Sequence, residues 1–383
     1  MNHDFAPVKV RVGLRAYIEG DAVCAIIRSI RALASRIYLD HAATTPLLPE
    51  ARAAMAEGLA RWANPSSPHA EGRAARAALE DARARIKAAL GWAHDLIFTS
   101  GASEALAIAL ARAHAGARLI SVVEHDAVRR AAPGATILPV GSDGLVDIAS
   151  LRGERPLVAV QSVNSETGVV QPLVDVAAAV REAGGLLLAD CAQSAGKLPL
   201  PDADFIAVAA HKLGGPPGIG ALLVRDLATL EPTGGQEQGY RPGTENLPAA
   251  LGFAAALEAR RSWIERAGEL RLHLEAKIEA AGGIVVARTA SRLPSIGSYR
   301  MPGVAATAQL IQFDMAGIAV SAGSACSSGS LKPSHVLSAM GWNEAAAREV
   351  IRVSFGPDTN RSEIWRFTEL WTRLAQEAKR RAA

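Results

Sequence analysis

The sequence predicts an α/β protein with a large domain, built around a mostly parallel sheet, and a smaller α+β C-terminal domain. From Ile37 onward, short apolar runs alternate with alanine-rich amphipathic stretches, the pattern of βαβ units. After Gly282 the alternation gives way to short strands and a final helix. With 383 residues and 49% hydrophobic content, the chain is long enough to bury a core of this size.

Apolar runs and amphipathic stretches define the individual elements. The predicted strands of the large domain are Asp95–Ser100, Arg118–Glu124, Leu157–Val163, Leu186–Asp190, Phe205–Ala209 and Gly220–Val224. The predicted helices are Glu104–Ala113, Leu173–Ala183 and one long stretch from about Pro248 to Ala281. The C-terminal part is predicted to contain strands at Ile284–Ala287 and Ile351–Phe355 and a helix from Ser362.

These patterns divide the chain into three parts. Residues 1–36 are interpreted as an N-terminal extension of unknown role, because they lack the continuous apolar segment of a secretory signal. Residues 37–255 form the predicted large domain, and residues 256–383 form the predicted small C-terminal domain.

Composition and charge exclude several classes of partner. The chain has 41 basic and 38 acidic residues, a balance that gives no reason to expect nucleic acid as the main partner. No apolar run approaches the roughly 18 residues that a membrane span requires. Cys24, Cys191 and Cys326 are too few and too scattered for a disulfide framework, and no CxxC spacing indicates a metal site. We therefore expect a cytoplasmic protein with reduced thiols and no membrane partner.

A turn of small residues after the first predicted strand is a candidate phosphate site. Ligands of parallel sheets bind beyond the carboxyl ends of the strands, which is where Gly101-Ala102-Ser103 lies. The backbone N–H groups and dipole of the following helix favour an anion, and Ser103 can add a hydroxyl. An ordinary helix N-cap is the alternative interpretation.

Two further strands end in residues that can carry chemistry. Asp190 ends an apolar strand, and a buried carboxylate is costly unless it has a partner such as a protonated pyridine nitrogen. Lys212 follows another apolar strand, where desolvation and neighbouring cations can lower its pKa and allow it to form a Schiff base. A capping aspartate and a surface lysine are the alternatives.

Cys326 lies in a loop of small residues, Ser321–Ser330. Such a loop has little to pack, which favours movement. A structural cysteine prefers an apolar pocket, whereas this one is flanked by serine and glycine. The pattern favours a reactive thiol.

Together, these segments resemble the NifS/IscS group of cysteine desulfurases, in the class V aminotransferase family of fold-type I pyridoxal-phosphate (PLP) enzymes. The resemblance covers roughly residues 37–360, and the order and spacing of its motifs are far more specific than any one of them. The motifs are Tyr38–Pro46, Asn64–Ser67, Ser100–Glu104, Glu124-His125, Glu166–Gln171, Asp190 with Gln193, His211-Lys212, Gly234–Glu237 with Arg241 and Thr244, Ser321–Ser328, Ser334–Leu337 and Ile351–Gly356.

The resemblance implies PLP as cofactor. Lys212 would hold PLP covalently, Asp190 would pair with its pyridine nitrogen, and His125 would stack on its ring. The remaining cofactor contacts would come from Ala102, Ser103, Ser165, Gln193, His211 and, from the other subunit of a homodimer, Thr244.

The resemblance also implies L-cysteine as substrate. Asn64 would border it, and Arg352 would bind its carboxylate in the bidentate geometry that guanidinium suits. Lys212 would remove the Cα proton, and the Cys326 thiolate would take the sulfur as a persulfide, leaving alanine. A sulfur-acceptor protein would then receive the sulfur for iron–sulfur cluster assembly or thiolation.

The sequence departs from the family pattern at two predicted contacts. Ser165 stands where the family usually has asparagine, and Ala209 stands where it commonly has serine. Two lost neutral hydrogen bonds would weaken cofactor binding about tenfold. Two other functions stay open: another class V PLP enzyme, such as a selenocysteine lyase or small aminotransferase, and a cofactor-poor scaffold in sulfur transfer.

Overall fold

The structure, a computed structural model, describes residues 36–259, 262–323 and 334–382. Numbered along these residues, the strands are β1 (Ile37–Tyr38), β2 (Asp95–Thr99), β3 (Arg118–Ser121), β4 (Thr136–Leu138), β5 (Leu157–Gln161), β6 (Leu186–Asp190), β7 (Phe205–Ala209), β8 (Gly220–Val224), β9 (Ile284–Val285), β10 (Ile296–Arg300), β11 (Ile318–Ala319) and β12 (Val350–Ser354). The α-helices are α1 (Pro49–Ala60), α2 (Ala70–Leu90), α3 (Ala102–Arg112), α4 (Asp126–Ala131), α5 (Leu173–Glu182), α6 (Leu247–Glu258), α7 (Trp263–Ala280), α8 (Ala306–Met315), α9 (His335–Ala339), α10 (Glu344–Ala347) and α11 (Arg361–Ala382).

A seven-stranded sheet, in the order β2-β8-β7-β6-β5-β3-β4, organises the first part of the described chain. The five strands from β3 to β7 run parallel to one another. β8 alone runs antiparallel, between β2 and β7. The predicted α/β class with a mostly parallel sheet is therefore confirmed.

Helices cover both faces of this sheet, which explains why its strands are almost continuously apolar. Successive residues of β6 alternate between the two faces: Leu187 and Ala189 pack with α2, α5 and α6, whereas Leu188 packs with α3 and α4. All three side chains are buried. The sheet is thus the middle layer of three.

A second core lies between α7, α11 and the antiparallel sheet β12-β10-β9. α11 contributes Phe367, whose ring stacks on Phe313 of α8 at 4.7 Å between centroids. Ile37 and Leu39, near the start of the described chain, pack into this same core, and β1 pairs with β11. No helix in the described ranges combines the length and apolar character of a membrane span.

The prediction of one long helix from Pro248 to Ala281 is wrong. The chain forms α6 and α7 instead, and Ala259 after α6 is extended, with ψ 143°. The break has a packing reason, because α6 is buried in the sheet's core while α7 belongs to the second core. The predicted domain boundary after residue 255 falls inside α6, and the division into domains stays a prediction.

A buried ion pair joins α2 to the loop that precedes α6. Arg83 donates from Nη1 and Nη2 to the two carboxylate oxygens of Glu237, at 2.7 and 2.9 Å. Glu237 also accepts from the backbone N–H of Phe98 on β2 at 2.7 Å. The two charged side chains are 10% and 0% exposed. Arg83 has a second, more exposed partner in Glu80, 2.9 Å from Nε, whereas the buried Glu237 carboxylate depends on Arg83 for compensation.

Replacing Glu237 by alanine is expected to lower the free energy of unfolding by about 3 kcal/mol. The change leaves the Phe98 N–H unpaired and leaves the buried guanidinium with Glu80 as its one carboxylate partner among the described residues. Glu258→Ala is the matched control. It removes a bidentate pair with Arg85, whose partners are 35% and 43% exposed, and should cost about 1 kcal/mol or less. Denaturant unfolding measures both, and equal losses would contradict a larger contribution from the buried pair.

Candidate active site

The carboxyl ends of four strands meet at one edge of the central sheet. The strand register places Gln161 of β5 beside Asp190 of β6, and Asp190 beside Ala207 of β7. The start of β8 at Gly220 lies between the ends of β7 and β2. The polar residues that follow these strands are therefore brought together, as the position of ligand sites in such sheets predicts.

Lys212 follows β7 at this edge, in a short 3-10 turn. Its Nζ donates to the backbone carbonyl of Ala42 at 2.6 Å. Burial, with the nearby Arg352 charge, lowers the pKa of the Lys212 amine to about 8, while Asp190 and Asp40 oppose the shift. A substantial fraction of the amine is therefore uncharged near pH 8, the form that acts as a nucleophile or base.

Asp190 ends β6 and is 8% exposed. Burial raises the pKa of its carboxyl above the ordinary value. The Ala192 N–H, which donates to Oδ1 at 2.9 Å, and the charges of His125 and Lys212 act in the opposite direction without offsetting burial. A cationic partner in the cleft would favour the ionised form.

His125 caps α4 and faces open space. Its Nδ1 accepts from the backbone N–H of Ala127 at 3.1 Å, so the neutral ring carries its proton on Nε2. The preceding residue, Glu124, is fully buried and accepts from the Gln161 N–H at 2.9 Å. Burial raises the pKa of Glu124 well above its usual range.

The segment from Leu39 to Thr45 lies across the site. The Ala42 carbonyl accepts from Gln193 Nε2 at 2.9 Å as well as from Lys212, while Gln193 Oε1 is buried without a partner. Thr44 Oγ1 lies 3.2 Å from His211 Nδ1. Burial, with the adjacent Lys212 charge, lowers the pKa of His211 to about 4, so that its ring is neutral at physiological pH.

Arg352 reaches the site from β12 of the second core. Its Nη1 donates to the Ser165 carbonyl at 2.9 Å, and its Nη2 donates to Asp40 Oδ1 at 2.8 Å. Its Nε is buried without a partner. This guanidinium therefore keeps unused donors beside Lys212.

The start of α3 is the predicted phosphate seat. Its N-cap, Gly101, supplies no side-chain hydrogen bond to the first turn, and Ala102 and Ser103 follow it. A Cβ on Gly220 would lie 2.7 Å from the Cα of Gly101, so glycine at 220 permits this close approach of β8 to the turn. Arg241 pairs with Glu104 in the first turn, with 2.8 Å between Nε and Oε1.

The neighbouring Asn164 does not replace the asparagine missing at Ser165. Asn164 is buried, and its Oδ1 accepts from the backbone N–H groups of Glu166 and Thr167, both at 2.9 Å. Its Nδ2 donates to the Val123 carbonyl at 3.2 Å. The hydrogen bonds of the Asn164 side chain are thus made to Val123, Glu166 and Thr167, and not to the residues of the cluster.

Three predicted residues are not joined to this cluster. Asn64 is exposed, and its Oδ1 accepts from the Ser66 N–H within its own loop. Thr244 is exposed on the loop before α6, and no hydrogen bond among the described residues links it to Lys212 or Asp190. Cys326 lies outside the described residues, as does Cys24.

Comparisons with known proteins assign the chain to a family. The family model described as aminotransferase class-V matches residues 37–367. The chain belongs to this family. A cysteine desulfurase from Gluconacetobacter diazotrophicus is 37% identical over 87% of this chain and 92% of its own length.

Solved structures agree with this assignment. A NifS-like protein from Rickettsia africae has a TM-score of 0.81 and 30% identity, over 89% of this chain and 99% of its own. A protein named SspA, solved in complex with cysteine, has a TM-score of 0.73 and 30% identity, over 84% of this chain and 99% of its own. The predicted resemblance to the cysteine desulfurases of this family is confirmed.

The site of this class V aminotransferase fits PLP. A phosphate matches the uncapped start of α3, and a protonated pyridine nitrogen matches the buried Asp190 carboxylate. The unpartnered Gln193 Oε1 indicates an amide whose hydrogen bonds are incomplete without a ligand. The Lys212 amine, whose lowered pKa of about 8 leaves a fraction of it uncharged, belongs to the same edge of the sheet.

Sequence reasoning missed the roles of Asp40, Ala42 and Glu124. All three lie in motifs on which the resemblance rests. Ala42 acts through its backbone carbonyl, which every residue type has, so the sequence does not mark it. The sequence also does not show that Asp40 pairs with Arg352, which lies 312 residues further along the chain. Glu124 ends the predicted strand Arg118–Glu124, but the sequence alone does not show that its carboxyl is buried.

Cys191 lies beside Asp190 but is unsuited to nucleophilic chemistry. It is fully buried, and burial raises the pKa of its thiol to about 12. Ser194 and Ser162 hydrogen-bond to the sulfur without offsetting this shift. The reactive thiolate is therefore scarce at Cys191 at any physiological pH.

Iodoacetamide at pH 8 should accordingly leave Cys191 unmodified in the native protein. The same reagent should label it fully in urea, since unfolding restores an ordinary thiol. Peptide mass spectrometry of the two samples makes the comparison. Rapid native labelling of Cys191 would show that the residue is accessible and ionised.

Proposed function

We propose that this protein is a PLP-dependent cysteine desulfurase that converts L-cysteine to L-alanine and places the sulfur on Cys326 as a persulfide. The observation that carries the proposal is the convergence of Lys212, Asp190 and Arg352 at one sheet edge. It gives a nucleophilic amine, an anion for a pyridine nitrogen and a cation for a carboxylate within one cleft. Relatives named cysteine desulfurase at 37% identity supply the second support.

In this proposal the cofactor would be held by groups at the edge of the central sheet. Lys212 would bind it covalently, Asp190 would pair with its ring nitrogen, His125 would lie on its ring, and Gln193 would contact its phenolic oxygen. Its phosphate would be bound by Ala102, Ser103 and His211. When bound, PLP withdraws electrons from the amino-acid carbon attached to it.

The chain's own residues then handle the substrate. Arg352 binds the L-cysteine carboxylate, which fixes the orientation of the Cα–H bond relative to Lys212. The Lys212 amine removes the Cα proton, a role that suits a pKa of about 8. Ser165 contributes its carbonyl to Arg352, so the shorter side chain at this position leaves that support intact.

Sulfur transfer conserves atoms and electrons. The Cys326 thiolate attacks the sulfur of the substrate, forming an S–S bond as the C–S bond breaks. The carbon fragment keeps the bonding electron pair, gains a proton at Cβ, regains at Cα the proton that Lys212 removed, and leaves as alanine. The thiolate, and not the thiol, is the nucleophile, so turnover should rise with pH through the Cys326 pKa.

The proposal extends to partners and location. Thr244 is exposed on a loop, where it can contact the phosphate of a second copy in a symmetric homodimer. A sulfur-acceptor protein receives the persulfide sulfur for iron–sulfur cluster assembly or thiolation. Cys326 must remain a free thiol to accept the sulfur, a state that reducing compartments maintain, and this supports a cytoplasmic location.

Cys326→Ser should bind PLP and L-cysteine normally, because the loop thiol acts only after both are in place. It should exchange the Cα proton with solvent yet form alanine at least a hundredfold more slowly than wild type, since a hydroxyl stays protonated near neutral pH. Cys191→Ala is the matched control and should keep near-normal turnover. Alanine release, and mass spectrometry of the wild-type Cys326 peptide, measure these effects.

The alternatives give different results. Near-normal alanine formation by Cys326→Ser would contradict the persulfide assignment and favour another class V reaction. Protein that binds no PLP when the cofactor is supplied would favour a scaffold.

A further inference from the structure

Asp40 is the charged partner of Arg352. The two side chains form an ion pair of 2.8 Å in which they are 21% and 8% exposed. A nearly buried guanidinium needs a compensating charge, and no other carboxylate among the described residues forms a salt bridge with it. This pair lies inside the candidate active site, because both charges shift the pKa of Lys212, Arg352 downward and Asp40 upward.

The backbone around Asp40 is fixed against the strand that carries Arg352. The Ser354 N–H donates to the Leu39 carbonyl at 2.8 Å, and the Ala42 N–H donates to Ser354 Oγ at 2.8 Å. Asp40 itself forms a parallel β-bridge with Ser354, two positions along β12 from Arg352. The carboxylate is therefore held at a set place relative to the guanidinium.

The guanidinium of Arg352 has more hydrogen-bond donors than the described residues accept. Asp40 takes one hydrogen from Nη2, and the Ser165 carbonyl takes one from Nη1. Each terminal nitrogen keeps a second N–H, and Nε keeps its own, buried without a partner. The guanidinium is thus anchored at two points and still has donors for a further planar acceptor.

We propose that Asp40 is a positioning residue for substrate recognition: it holds the Arg352 guanidinium so that its remaining N–H groups receive the carboxylate of the amino acid. This inference rests on the proposed function, which assigns that carboxylate to Arg352. The anchored guanidinium binds without first losing the freedom of a long side chain. Asp40 acts through Arg352 and does not touch the substrate.

Equilibrium binding to the PLP-loaded enzyme tests this role, with the absorbance of the bound cofactor as readout. L-alanine carries the carboxylate, whereas L-alaninamide has nearly the same size without the charge. Asp40→Ala should bind L-alanine on the order of tenfold more weakly than wild type, the effect of one lost charged hydrogen bond. It should bind L-alaninamide within about twofold of wild type, because no carboxylate is involved.

Asp40→Asn keeps an oxygen acceptor for Nη2 and should restore most of the L-alanine affinity. Asp40→Ser, whose hydroxyl is too short to reach Arg352, replaces the alanine variant if that protein does not fold. Glu349→Ala is the matched control, since it removes another partly buried pair of the second core, 2.7 Å from Arg300. It should leave both affinities unchanged.

Three results would overturn the proposal. Equal weakening of both ligands would mean that Asp40 only maintains the structure of the site. Tighter L-alanine binding by Asp40→Ala and Asp40→Asn would mean that the Asp40 carboxylate competes with the substrate. Unchanged L-alanine binding by Asp40→Ala would mean that Arg352 needs no anchor. A different result would contradict the proposed function: wild-type enzyme that binds L-alanine no more tightly than L-alaninamide.

Discussion

The site depends on burial of the Lys212 amine close to two carboxylates and one guanidinium. Burial and the Arg352 cation lower the pKa of the amine, while Asp190 and Asp40 prevent a larger shift. The Ala42 carbonyl holds Nζ in place at 2.6 Å. The same burial would be costly for the carboxylates, so the cluster is stable only as a set of mutually compensating groups.

Two cores are needed to build this set. The central sheet supplies Lys212 and Asp190 from the ends of adjacent strands, and the second core supplies Arg352 from β12. The segment at 39–45 joins them, because it bonds to Ser354 on one side and to the Lys212 turn on the other. A displacement of this segment would alter the lysine, the arginine and its anchor together.

Sequence patterns predict the strands well because strands buried on both faces are continuous apolar runs; β6, β7 and β8 match their predicted bounds. The patterns give a wrong prediction at Ala259, where the helix breaks so that α6 and α7 can pack in different cores. That requirement comes from tertiary packing, which the local sequence pattern does not show. The resemblance supplies the site residues, and their roles, including those of Cys326 and Thr244, stay predictions. The Asp40–Arg352 pair could not be foreseen, because it arises from β-bridging between distant segments.

Covalent trapping of the cofactor tests whether Lys212 is the residue that binds it. Protein loaded with PLP is reduced with borohydride, digested and mapped by mass spectrometry. We expect a phosphopyridoxyl group on the Lys212 peptide and loss of that label in Lys212→Ala. A label on Lys197 instead, or a reducible chromophore that persists in Lys212→Ala, would contradict it.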